Sequence, residues 1–152
     1  MRPVTDTAST GMDHVFDAEL RYQDGMAPVC ELDDRGHLAG SGTGHVEGPR
    51  IIGTVRWSNF EQVFVDHCRL SVAGTIESDD GVAIQFESQG FALTPVGGGA
   101  WRVASAVRFA VDDSRYLWLA AGPAIWEGEF DATSATARYR AHLPPELCTD
   151  EH

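Results

Sequence analysis

Gly40-Ser41-Gly42-Thr43-Gly44-His45-Val46-Glu47-Gly48-Pro49-Arg50-Ile51-Ile52-Gly53 is the stretch on which the fold of this chain turns. At the two-residue period of a strand, Gly40, Gly42, Gly44, Val46 and Gly48 share one face, and Ser41, Thr43, His45 and Glu47 share the other. Glycine inside a strand weakens it and marks a tight bend, a bulge or a close backbone approach. A strand so rich in glycine suits the wall of a closely curved barrel. The hydroxyl, imidazole and carboxylate opposite the glycines form a polar row, and the expectation is that this row faces an enclosed interior.

The flanking segments keep the same period, and none carries a helical stripe. Phe16, Ala18, Leu20 and Tyr22 share a face over residues 15–23, and a short strand follows over 26–32, closed by the turn Asp33-Asp34-Arg35-Gly36. Beyond Pro49 the pattern predicts a strand over 50–57, a bend at Ser58-Asn59, and a long strand over 60–77. In that long strand Phe64, Asp66, Cys68, Leu70, Val72, Gly74 and Ile76 point one way. Ser78-Asp79-Asp80-Gly81 is a hairpin signal, because Asp-Gly tolerates the positive φ of a tight turn. Val82, Ile84, Phe86 and Ser88 share a face of the return strand over 82–93, and a glycine-rich loop over 94–99 leads to alternation from Trp101 to Val111. Asp112-Asp113-Ser114 either caps a helical turn over 116–119 or breaks the sheet. A last hairpin spans 124–130 and 135–142, and Pro144-Pro145 ends the fold.

Many short strands with no covering helix predict an all-β fold, a closed antiparallel β-barrel of eight to ten strands with at most short helical turns. Residues 1–13 are expected as a disordered tail, 14–143 as the barrel domain and 144–152 as a mobile tail. A barrel of about eight strands encloses either packed side chains or one small ligand.

Composition narrows the partners. The chain has 152 residues, 43% of them hydrophobic, and a formal charge of −12. That charge disfavours nucleic acid and anionic membrane surfaces, and no apolar run reaches the length of a membrane span. The first residues lack the apolar block of a signal peptide. All 11 basic residues are arginine, so Schiff-base chemistry through a side-chain amine is excluded. The three cysteines, Cys30, Cys68 and Cys148, are odd in number and lack CxxC spacing, which argues against a disulfide framework or zinc knuckle and fits a reducing cytoplasm. Cys68 reads as a buried structural thiol.

The candidate catalytic residues are His45, Glu47, Arg56 and Arg108. His45 and Glu47, at i and i+2, point the same way, so the carboxylate can orient the imidazole for acid–base work. Arg56 and Arg108 would stabilise developing negative charge. Thr43, His67 and Glu87 would complete a polar wall, with Trp57, Tyr116, Trp118 and Trp126 shaping the apolar remainder. The ordinary place for a mid-strand charge on an antiparallel sheet is nevertheless solvent. A metal set of His45, Glu47 and His67 has only two ligands local in sequence, so no metal is expected, and no cofactor either. His14, His37, His142 and His152 read as surface residues. No nucleophile elbow, Walker loop, dinucleotide fingerprint or HExxH is present, and Gly97-Gly98-Gly99 lacks the following helix of a phosphate cradle.

The order of G-H-V-E-G-P-R-I-I-G-T-V (44–55), T-I-E-S-D-D-G-V-A-I (75–84), Q-G-F (89–91) and Y-L-W-L (116–119) resembles a microbial β-barrel family, the domain of unknown function 3237 group. The resemblance spans roughly Phe16 to His142. It implies a closed barrel with a small-molecule-sized interior, broadly like lipocalins and allene oxide cyclases, and no settled reaction. One departure stands out. The family's G-G-x-D-W loop after the G-x-V strand is replaced here by the shorter Arg56-Trp57-Ser58-Asn59-Phe60-Glu61, where Trp57 and Glu61 are the candidates to stand in.

The resulting expectation is a cofactor-independent enzyme (an isomerase, cyclase or lyase) acting on a small, largely apolar organic metabolite inside the barrel, in specialised metabolism. The alternative is a non-catalytic carrier or sensor of a hydrophobic ligand, and a third reading is a metal-dependent barrel. The sequence leaves the oligomeric state open, a homo-oligomer included.

Overall fold

Among the described residues nine antiparallel strands follow one another around a curled sheet: β1 (Asp13–Tyr22), β2 (Cys30–Glu31), β3 (His37–Glu47), β4 (Ile52–Val63), β5 (His67–Ser78), β6 (Ala83–Leu93), β7 (Trp101–Ala110), β8 (Ala124–Asp131) and β9 (Thr136–Leu143). They belong to a computed structural model that describes residues 12–23, 30–31, 37–93, 100–131 and 133–144. β1 pairs with both β9 and β3, so β1 and β3–β9 close into an eight-stranded barrel, while β2 adds two residues to β3. Closure removes the unpaired edges that an open sheet would expose. The predicted tails lie outside the described residues except at their inner boundaries: β1 already begins at Asp13 and β9 ends at Leu143. The turn at 33–36 and the loop at 94–99 also lie outside them.

The glycine strand seals the barrel. In the β1–β3 ladder Leu20 opposes Gly44 and Glu19 opposes His45. A Cβ on Gly42 would stand 1.9 Å from the Arg21 carbonyl oxygen, and one on Gly44 would stand 2.1 Å from that of Glu19. The two backbones approach too closely for any larger residue, and the glycines therefore occupy the inner, concave face.

Alternation carries one inward row on each strand. Phe16, Ala18, Leu20 and Tyr22 of β1 are buried, as are Val55 and Trp57 of β4, and Ile76, Ile84, Phe86, Val107 and Phe109 farther round. β4 departs from expectation. It runs unbroken through Ser58-Asn59 to Val63, and the chain reverses later, at residues 64–66, where the Phe64 amide donates to the His67 carbonyl at 2.8 Å. Ladder pairing of Ser58 with Ser41 and Ala73 overrides the local turn preference of Ser-Asn. The period therefore continues inward through Asn59 and Glu61.

The two ends of the barrel differ. At one end Phe16, Phe86, Phe109 and Trp126 interlock with ring centroids 5.3–6.5 Å apart. A 3-10 helix (Ser114–Ala120) covers this end with Tyr116 and Leu119 buried. Asp113 caps it, its carboxylate accepting from the Arg115 amide at 2.9 Å. The Tyr116 hydroxyl and the Arg115 guanidinium reach Asp80 at 2.8 and 3.1 Å, which latches the helix to the Asp79–Gly81 turn. The other end is hollow.

Candidate functional site

Beyond the aromatic plug lies a cavity of about 310 Å³. Its walls are largely apolar: Leu20 from β1, Val63 and Trp57 from β4, Leu70 and Val72 from β5, Ala92 from β6, Trp101 and Val103 from β7, and Phe130 and Ala137 from β8 and β9. The volume falls at the lower end of the range of small-molecule sites, about 300–1,000 Å³.

Three polar side chains converge inside it. Glu61 Oε2 accepts from the Tyr22 hydroxyl at 3.0 Å and from Asn59 Nδ2 at 2.9 Å, while Asn59 Nδ2 also donates to the Tyr22 oxygen at 2.6 Å. Asn59 and Glu61 are i and i+2 on β4, and the end of β1 brings Tyr22 alongside. Both donors to Glu61 fall on one oxygen, and Oε1 takes no hydrogen bond from the described residues. The buried Asn59 Oδ1 also has no hydrogen-bond partner among the described residues, which costs free energy and ties the amide to its donor role.

Electrostatics follow from burial. Glu61 lies above the usual carboxylate range because burial opposes its charge, an effect that the hydrogen bonds from Tyr22 and Asn59 partly offset. Burial and then the negative charge of Glu61 push the Cys68 thiol up to about 11, so it is no nucleophile at neutral pH. Tyr22 and Tyr139 are raised as well, burial first and Glu61 second, and both remain neutral phenols. Of the residues named as candidates from sequence, Glu61 lines the hollow and so does Trp57. Its indole Nε1 donates to the Thr43 carbonyl at 2.9 Å, fixing the ring as wall.

The other candidates are elsewhere, and the expected inward polar row is corrected. Thr43, His45 and Glu47 are exposed on the outer face, because the glycines opposite them must take the concave side. His45 faces Glu19 across the β1–β3 seam, Nε2 to Oε1 3.7 Å. Glu19 also meets Arg21 at 3.0 Å and Arg138 at 3.7 Å. This outer ion cluster is a feature of the seam, not of the cavity. Arg56, Glu87 and Arg108 are exposed on the outside of β4, β6 and β7, the ordinary place for mid-strand charge.

His67 stands at the β4–β5 turn, 2.8 Å from Asp66 and stacked on Phe64 with ring centroids 4.8 Å apart. Tyr116 belongs to the latch at the closed end, and Trp118 lies under Arg50 at 4.1 Å outside the barrel. Trp126 is buried in the plug beneath Tyr139. Among the described residues no group of three or more His, Cys, Asp or Glu is placed to hold a metal ion.

Sequence reading passed over Tyr22, Asn59 and Tyr139 as functional residues. The signal that could have found Asn59 and Glu61 is the run Trp57, Asn59, Glu61, which continues the inward alternation of Gly53 and Val55. It lies within the stretch 56–61.

The fold and the hollow together define a small closed β-barrel with an internal cavity. No family model and no curated protein matches the chain. In fold it is similar to a conserved protein of unknown function from Rhodopseudomonas palustris, with TM-score 0.73 and 19% identity over 87% of this chain and 95% of that one. A protein of unknown function from Clostridium acetobutylicum gives TM-score 0.73 and 20% identity over 87% and 95% of the two chains. An enzyme from Penicillium herquei gives TM-score 0.59 and 21% identity over 86% and 92%. At these identities the likeness establishes the barrel and not an activity.

Proposed function

We propose that this barrel is a cofactor-independent enzyme that moves protons on a small, largely apolar organic molecule, as an isomerase, cyclase or lyase does. The observation that carries the reading is a carboxylate raised by burial and held by two donors inside an otherwise apolar hollow. A carboxyl group whose pKa is moved toward neutrality can both take and return a proton, which is the requirement for general acid–base work. Glu61 is the acid–base. Tyr22 and Asn59 are positioning residues: their bonds to Oε2 fix the carboxyl orientation and leave Oε1 for the substrate. Trp57, Trp101 and Phe130 hold an apolar body against it, supplying proximity and excluding water. The fungal relative is described as an enzyme, which is compatible with this reading.

A carrier or sensor is the second reading, favoured by one fact: Tyr22, Asn59 and Glu61 satisfy much of one another's hydrogen bonding and leave a mainly apolar lining.

The two separate in heavy water. The protein is incubated with a panel of cyclic ketones and hydroxylated ring compounds, and bound and free compounds are followed by mass spectrometry for deuterium uptake or rearrangement. An enzyme exchanges or converts a compound that it binds. Glu61→Gln then loses at least about a hundredfold in rate, the scale of general acid–base catalysis, while His45→Ala retains the rate. Binding without any exchange by the wild type refutes the catalytic reading and leaves the carrier.

A further inference from the structure

Resting on the cavity reading above, we infer that the hollow selects uncharged molecules bearing a hydroxyl or similar donor and rejects carboxylates and phosphates, with Glu61 as the selecting group. Three observations converge on this. Among the described residues that line the cavity, Glu61 is the one carboxylate, and no arginine or histidine lines it. The arginines that could have clamped an anion, Arg56 and Arg108, project from the outer face. Three of the donors that line the cavity are engaged within the protein: Tyr22 and Asn59 both donate to Glu61 Oε2, and the Trp57 indole donates to Thr43.

An anion entering this space would leave water for apolar walls, meet a second negative charge and find no counter-ion among the described lining residues. The chain's net charge of −12 adds long-range repulsion of the same sign. A hydroxyl donor, by contrast, meets acceptors that no described residue occupies. Glu61 Oε1 and the Tyr139 oxygen both take no hydrogen bond from the described residues. Selection of this kind works chiefly by rejecting the wrong ligand through an unpaired charge.

Three naphthalene probes of one size test this by titration calorimetry at pH 7.5: 2-naphthol as donor, 2-methoxynaphthalene as the same shape without a donor, and 2-naphthoate as anion. The expected order is naphthol tightest, at least about threefold over the methoxy probe and at least about tenfold over naphthoate. In Glu61→Gln, and in Glu61→Leu should the first variant fold poorly, the gap between naphthol and naphthoate shrinks to less than about threefold. Naphthoate binding as tightly as naphthol to the wild type overturns the inference, and so does a gap unchanged when the charge at 61 is removed. Failure of every probe to bind overturns it together with the cavity reading. A protein that prefers naphthol yet exchanges no proton in heavy water keeps this inference and loses the catalytic one. One that exchanges protons but binds both probes equally loses this inference alone.

Discussion

Gly44→Ala is the sharpest test of how the barrel closes. Gly44 has ordinary backbone angles, since Gly81 is the glycine at positive φ among the described residues. On backbone entropy alone, alanine at such a site stabilises a protein by about 0.4–1 kcal/mol. The seam reverses that sign. The new Cβ would stand 2.1 Å from the Glu19 carbonyl oxygen and 3.0 Å from Leu20 Cα, against an ordinary contact of 3.4–4 Å. One strand must retreat by more than an ångström, and the atoms in the way are backbone. Overpacking of this kind costs about 1–3 kcal/mol, which for a domain of this size lowers Tm by about 3–10 °C.

Urea and thermal unfolding followed by circular dichroism measure it, with two controls on the same footing. Gly81→Ala also destabilises, but through its φ of 91°, since nothing lies within 4 Å of a Cβ there. His45→Ala, next to Gly44 but exposed outside, changes stability by less than about 0.5 kcal/mol. A Gly44→Ala protein that melts at or above the wild-type temperature refutes the account of the seam, and with it the reason for placing His45 and Glu47 outside.

Two further outcomes follow from the displaced acids. Glu61 is raised in the folded state, so its share of stability is complete below the unfolded pKa and is lost as pH climbs through the folded one. Glu61→Gln should therefore gain on the wild type in urea unfolding between pH 4 and pH 8, and a difference independent of pH, or one of opposite slope, contradicts this. Asp113 is the reverse case: its hydrogen bonds with Arg115 depress it to about 2. Its stabilisation is present above the unfolded value and fades as pH falls toward 2, so Asp113→Asn should lower stability at neutral pH and flatten the acid limb, and an unchanged acid limb contradicts that.

The strand alternation was legible residue by residue. The inward sets Phe16–Tyr22, Ile84–Ser88 and Trp101–Phe109 stand as the period predicts, and the Asp80-Gly81 turn and the Asp113 cap formed where their chemistry allows. The bend at Ser58-Asn59 did not form, because turn preference is a local term and pairing with both neighbouring strands outweighs it. That difference matters to the site, since it carries Asn59 and Glu61 along the inner wall rather than into a loop.

Sequence by itself determined that this chain alternates, curls and closes, because a period of two and a glycine-rich strand are one-dimensional facts. It also determined which residues share a face. Which of the two faces of β3 looks inward was a tertiary decision, made by the steric demand of β1 crossing within 2.1 Å of where a Gly44 Cβ would be. The same decision sent His45 and Glu47 to solvent. It was the barrel, joining the ends of β1 and β4, that brought Tyr22 to Glu61 across 39 residues of chain.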